Sequence, residues 1–312
     1  MQQKSAKSVQ APAAVVMVRP HHFTVNTQTA ADNAFQKPPS PGGDCASSAY
    51  DEITDAAETL RSWGVRVHLF EDERDDRPDS VFPNNWFSTH AGGHVAIYPM
   101  MAPNRRLERR QDIIEMLKRD YRVQDVIDYS GLEADGLFLE GTGAMVLDHI
   151  DRVAYTVESD RANPIALERF CAHFNYEPMA FAASDPSGVP IYHSNVLMGV
   201  GTDFAMIGLD MIENEQRRNE VRARLEGAGR TVVPLSYEQI VHFAGNVIEL
   251  QGTDGRILAL SETAFASLDD SQKREIEKSA ALVPLSIPTV EAAGGSVRCT
   301  IAGIHLTPRG VA

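Results

Sequence analysis

A recurring order of short apolar segments constrains this chain more than any other feature of its sequence. Residues 15–18 read as a strand, 44–63 as a helix stopped by Gly64, and 65–70 as the next strand. A strand near 86–89, a Gly92-Gly93 turn and a strand at 95–98 then read as a hairpin, followed by a charged helix at 105–120 and a strand at 123–127. The same order returns three times. Hairpin strands at 144–147 and 152–157 precede a helix at 163–174, and 196–200 and 204–209 precede 213–227. Segments 246–250 and 257–260 precede 269–280. About five such units predict pseudo-symmetric α/β blades, because a unit this small buries its apolar face only against its neighbours. No Pro/Ser-rich linker interrupts them, so one domain over residues 14–312 is expected, with 1–13 as a flexible tail.

Composition narrows the function classes. A chain of 312 residues can bury a large core, and 43% hydrophobic content with scattered charge fits a soluble globular protein. The net charge of −14 argues against a nucleic-acid surface, which needs a clustered basic face. No apolar run approaches the ~20 residues that span a bilayer. Residues 1–13 lack the apolar stretch of a secretory signal. Three cysteines, Cys45, Cys171 and Cys299, are too few and too scattered for a disulfide framework or a zinc cage. A reducing, cytoplasmic compartment is the default expectation, with no cofactor and with homo-oligomerisation left open.

Cys299 lies just after Gly294-Gly295, and residues 301–306 read as a short buried strand. Glycines lack the Cβ that would keep backbone away from a ligand, so this thiol can be a nucleophile, although the stretch by itself favours a small core residue. Other polar clusters fall beside glycine turns at strand ends. They are Asp79-Ser80-Val81-Phe82-Pro83-Asn84-Asn85-Trp86, Glu140-Gly141-Thr142-Gly143, Ser159-Asp160-Arg161-Ala162-Asn163, His193-Ser194-Asn195 and Gly245-Asn246. Singly, each reads as a turn or a cap, since Asn, Asp, Ser and Gly dominate turns for backbone reasons. His90-x-x-x-His94 and His21-His22 suggest a metal, but the first spans a Gly-Gly turn rather than one helix face, so no metal is expected.

As an ordered set, Asp79…Asn85, Glu140-Gly141, Ser159-x-Arg161-x-Asn163, His193 and Gly294-Gly295-x-x-x-Cys299 resemble the guanidino-group-modifying superfamily of deiminases, dimethylarginine hydrolases, amidinotransferases and dihydrolases. The resemblance runs from Val15 to Leu306 and is strongest to the bacterial citrulline-utilisation hydrolases. It implies a five-bladed pentein-like α/β propeller of repeated ββαβ units with the site on its axis. It also implies Cys299 as nucleophile, His193 as general acid/base, and Glu140 orienting His193 and the substrate nitrogens. Arg161 falls where the family binds the substrate α-carboxylate, and Asp79 where it holds the α-ammonium. The dimethylarginine hydrolases' second carboxylate-binding arginine is absent at the position aligned with Tyr98-Pro99. Arg105 or Arg106 are the substitutes, although an arginine pair at a helix start more often faces solvent.

Where arginine deiminases grip the guanidinium with two aspartates, this chain places Asn85 and Asn195, with Asn84 as the alternative to Asn85. A guanidinium offers only donors and wants carboxylates. A neutral ureido group carries a carbonyl acceptor as well, which amides match from both ends. The expected function is therefore a cysteine-dependent hydrolase of the ureido C–N bond of L-citrulline, giving ornithine, ammonia and carbon dioxide. The alternatives are arginine or dimethylarginine hydrolysis, an arginine dihydrolase, an amidinotransferase, and a non-catalytic amino-acid sensor.

Overall fold

Five three-stranded sheets built on one plan organise the molecule. The computed structural model describes residues 8–30, 33, 35–36 and 45–310. Among these, the first sheet contains β1 (Ala14–Pro20) and β2 (Arg66–Asp72), and the second β3 (Phe87–His90), β4 (His94–Ile97) and β5 (Asp125–Asp128). The third holds β6 (Met145–Asp148), β7 (Val153–Val157) and β8 (Glu177–Phe181), and the fourth β9 (Met198–Val200), β10 (Phe204–Ile207) and β11 (Thr231–Pro234). The fifth holds β12 (Ile248–Gln251), β13 (Arg256–Ser261) and β14 (Ala281–Leu285), while β15 (Ala302–Gly303) returns to complete the first.

One plan repeats. An inner strand pairs antiparallel with a middle strand, and the middle strand pairs parallel with an outer one. Parallel neighbours need a crossover, and helices Cys45–Ser62, Gln111–Asp120, Pro164–Phe174, Glu215–Gly227 and Asp270–Ile276 supply it. These helices begin where their chemistry allows. Asn163 accepts the Ile165 N–H with Pro164 at the first helical position, and Asp269 forms a capping box with Gln272. Helix Gln111–Asp120 buries Ile113, Ile114, Met116 and Leu117 on one face against its blade. In the first blade β15 is the inner strand, with Val15 opposite Gly303 and Val16 opposite Ala302, so the two ends of the propeller are tied in one sheet.

Immediately before each inner strand the chain makes a tight turn. Pro83–Asn85 precedes β3, Gly141–Ala144 precedes β6, Ser194–Leu197 precedes β9 and Val297–Thr300 precedes β15. Asn246 stands in the same place before β12. Five equivalent turns therefore meet at one end of the axis.

Several expectations need correction. The expected strand at 301–306 pairs only at Ala302–Gly303, because the His305 N–H goes to the Thr89 hydroxyl at 2.7 Å instead of continuing a ladder. The expected helix at 105–120 is broken into a 3₁₀ segment, Pro103–Glu108, and the helix from Gln111. Residues 1–7 of the expected tail lie outside the described residues, but 8–13 are not free chain. Gln10 is buried, donating to the carbonyls of Leu147 and Val200 at 3.0 Å each and accepting the His149 N–H at 2.9 Å. No described helix is long and apolar enough to cross a membrane.

Candidate active site

Glu140 and His193 come from adjacent turns that are locked together. The Ser194 hydroxyl donates to the Ala144 carbonyl at 2.5 Å and accepts the Val157 N–H at 2.6 Å. This sets His193 Nε2 3.0 Å from Glu140 Oε2. Two glycines make the approach possible. Gly141 adopts φ +48° where a Cβ would strike the carbonyls of Asn84 and Asn85, and a Cβ on Gly143 would strike the Asn85 amide and the His193 ring.

The other Glu140 oxygen accepts the Met101 N–H at 3.0 Å, and Arg161 and Arg105 stand 3.5 and 3.7 Å from Oε2. Burial alone would raise the Glu140 pKa, but the Arg161 charge, the His193 bond and Arg105 outweigh it and hold the carboxyl well below the usual carboxylate range. Burial pushes the His193 imidazole below its ordinary value despite Glu140. The pair therefore rests as a carboxylate and a neutral imidazole. That imidazole can accept a proton.

Cys299 is buried in the turn Val297–Thr300, and its Sγ accepts two amide N–H bonds, from Asn195 Nδ2 and Asn246 Nδ2, each at 3.2 Å. Asn246 is itself fixed, donating to the Asn195 carbonyl at 3.0 Å and accepting the Arg298 N–H at 3.0 Å.

A small cavity opens above the thiol, lined among others by Asp79, Asn85, Arg105, Arg161, His193 and Cys299. Asp79 Oδ2 accepts from Asn26 at 2.8 Å, while its Oδ1 has no hydrogen-bond partner among the described residues. Burial raises the Asp79 pKa against the opposing charge of Arg105. Arg161 lies over the Tyr192 ring, 5.0 Å from its centroid. Arg105 is bidentate to Glu108 at 2.9 and 3.0 Å and donates to Asn85 Oδ1 at 3.1 Å. Burial pushes Glu108 up to about 7, with Arg105 pulling the other way.

Asn85 and Asn195 are each half satisfied. Asn85 Nδ2, on the cavity wall, and Asn195 Oδ1, on the amide that touches the sulfur, are buried and have no partner among the described residues, so an unused donor and an unused acceptor stand near the thiol. Such groups are costly to leave unpaired in a folded protein.

The structure thus brings together Cys299, His193, Glu140, Asn195, Asn85, Asp79 and Arg161. Asn84 does not line the cavity; its side-chain amide is buried with neither atom partnered among the described residues, and its carbonyl accepts from Thr142 at 3.3 Å. The expectation of a solvated arginine pair is corrected for Arg105, which is buried in the cleft wall because the 3₁₀ turn aims it inward at three carboxylates. Arg106 instead reaches the Met100 carbonyl at 3.0 Å. Asn246 read as a turn residue; its signal was its blade position, matching Asn85 and Asn195. Of residues 25–43, weighed as a lid or an inert excursion, 31, 32, 34 and 37–43 lie outside the described residues. In the remainder, the Thr29 carbonyl accepts from Arg161 at 3.5 Å and Phe35 packs on Tyr192.

A family model described as N,N dimethylarginine dimethylhydrolase, eukaryotic, matches residues 19–306. A sequence search of curated proteins gives no match. Among solved structures, the substrate-bound Cys-to-Ser mutant of the N-terminal domain of ArgZ, an arginine dihydrolase from Cyanobacteria, superposes with a TM-score of 0.73 at 15% identity, covering 93% of this chain and 97% of that domain. AgrE in ternary complex with ornithine and NAD+ gives 0.73 at 15% identity over 95% of this chain and 40% of that chain. A dimethylarginine dimethylaminohydrolase adduct gives 0.63 at 13% identity over 93% and 98%. At these identities the likeness is one of fold. This chain spans 40% of full-length ArgZ.

Proposed function

This chain belongs to the N,N-dimethylarginine dimethylhydrolase family, within the guanidino-group-modifying superfamily of C–N hydrolases, and from that premise we propose that it hydrolyses the ureido group of L-citrulline. The observation that carries this reading is the pair of half-satisfied amides beside the thiol. Asn195 Oδ1 is an unused acceptor and Asn85 Nδ2 an unused donor. A ureido group supplies the reciprocal set, an N–H and a carbonyl oxygen, and it is neutral. A guanidinium has no acceptor for the Asn85 amide.

The Cys299 thiol gives its proton to His193, and the sulfur adds to the ureido carbon. His193, steadied by Glu140, returns that proton to the departing nitrogen, and ornithine leaves an S-carbamoyl cysteine. Water, deprotonated by the same His193, releases the thiol and carbamate, which falls apart into ammonia and carbon dioxide. Arg161 and Arg105 take the α-carboxylate and Asp79 the α-ammonium, each by charge and by its place on the cavity wall.

A second reading is arginine dihydrolysis, favoured by the likeness to ArgZ, since a dihydrolase must also process a ureido intermediate. The test is ornithine and ammonia release from L-citrulline, L-arginine and asymmetric dimethylarginine, each beside Cys299→Ser. Citrulline turnover lost in the variant is expected. Turnover of arginine to ornithine and two ammonia supports the second reading. Turnover of arginine or its methylated form with citrulline inert rejects the amide argument.

A further inference from the structure

The inner strands enclose a second cavity at the far end of the same axis. It is lined by Thr89 on β3, Leu147 on β6, Val200 on β9, Glu249 on β12 and Gly303 on β15, with Arg298 also on its wall. Gln10 bridges two of those strands at its edge. There is room for roughly three water molecules.

The wall carries an arginine without a counter-charge. Arg105, Arg161 and Arg230 are buried and each faces a carboxylate, Glu108 at 2.9 Å, Glu140 at 3.5 Å and Asp148 at 2.7 Å respectively. Arg298 differs. Among the described residues its side chain makes one hydrogen bond, Nη1 to the Ile301 carbonyl at 2.9 Å, and no ion pair. Burial depresses it to about 10, with only Cys299 opposing.

Its neighbours do not neutralise it. His149 and His305 stack with centroids 3.7 Å apart; burial, followed by the charge of His305 at His149 and of Arg298 at His305, holds both imidazoles well below their ordinary value, so they stay neutral. Glu249 is committed elsewhere. Its Oε2 accepts from the Thr202 N–H at 2.8 Å and the Thr202 hydroxyl at 2.6 Å, and its Oε1 lies 3.7 Å from Arg256.

We propose that this axial cavity is a binding site for a small inorganic oxyanion, gripped by the Arg298 guanidinium. The Nε and Nη2 donors form the unused side of a planar fork, which fits two oxygens of one oxyanion better than a spherical ion. A protonated oxyanion such as bicarbonate or dihydrogen phosphate also brings an O–H for an acceptor that has no hydrogen-bond partner among the described residues. His305 Nδ1 is such an atom on this wall.

The test is the thermal stability of the full chain titrated with inorganic phosphate and, separately, with bicarbonate, at constant ionic strength. Saturable stabilisation by either ion is expected, weakened at least tenfold in Arg298→Met and retained in Arg161→Ala, a residue of the substrate cleft that does not line this cavity. Glu249→Gln removes the one like charge on the wall and is expected to tighten binding several-fold. It keeps the test open if Arg298→Met does not fold. Absence of saturable stabilisation by both ions, stabilisation that survives Arg298→Met, or its loss in Arg161→Ala overturns the proposal.

Discussion

Asn195 donates its side-chain amide to the sulfur of Cys299 at 3.2 Å, and the two residues reach each other from different blades, 104 positions apart in the chain. Asn246 completes the arrangement from a third blade at the same distance. Both hydrogen bonds to the sulfur therefore come from neutral donors. A neutral electrophile needs its nucleophile prepared by the protein, whereas a cationic substrate can help to make its own thiolate.

Asn246→Ala is expected to slow both turnover and alkylation of Cys299 by iodoacetamide at pH 7, about 10- to 100-fold. That is the loss of one hydrogen bond to an anion, about 1.5–3 kcal/mol. Alkylation at the wild-type rate would mean that the amide does nothing for the sulfur.

The pH profile follows from His193. Burial disfavours the imidazolium, so the neutral form persists to lower pH than in free histidine. Activity that needs a neutral base is present above the folded pKa and lost as pH falls through it. The acid limb of kcat/KM should accordingly lie below 6.5. A limb at or above 6.5 that disappears in His193→Ala would contradict the neutral resting state.

Arg105→Ala should raise KM about 10- to 100-fold and change kcat less, since it removes a charge-assisted contact to the substrate carboxylate. Its partner Glu108 gives a separate signature. A carboxyl raised to about 7 in the folded protein favours folding below its unfolded value and loses that contribution as pH rises through about 7. Urea unfolding between pH 6 and 8 should show stability falling with pH, and a flatter slope in Glu108→Gln. An unchanged slope would show that Glu108 does not titrate there.

Gly143→Ala tests the packing of the site. The added methyl would meet the Asn85 amide and the His193 ring, both held by their own turns. Turnover is expected to drop at least tenfold while alkylation of Cys299, on another turn, continues. Full activity would mean that the His193 turn yields easily.

How much of this was legible beforehand can be judged residue by residue. The spacing of apolar runs determined five α/β units, because hairpins, helix stops and caps are local and act within a few residues. Cys299, His193, Glu140, Arg161 and Asp79 were each visible beside a glycine or at a strand end. Their mutual distances were not, since Glu140 and His193 are 53 positions apart and meet only when two blades pack. Arg105 shows the limit most clearly. In sequence it is half of an exposed-looking arginine pair, and only the 3₁₀ turn at Pro103–Glu108 decides that it faces inward at three carboxylates. Arg298 carries no local signal and Asn246 only that of a turn beside Gly245, because what matters about them is which sulfur one of them touches and which carboxylate the other lacks. Short-range chemistry determined the elements. Long-range packing decided which charges and amides share one cavity.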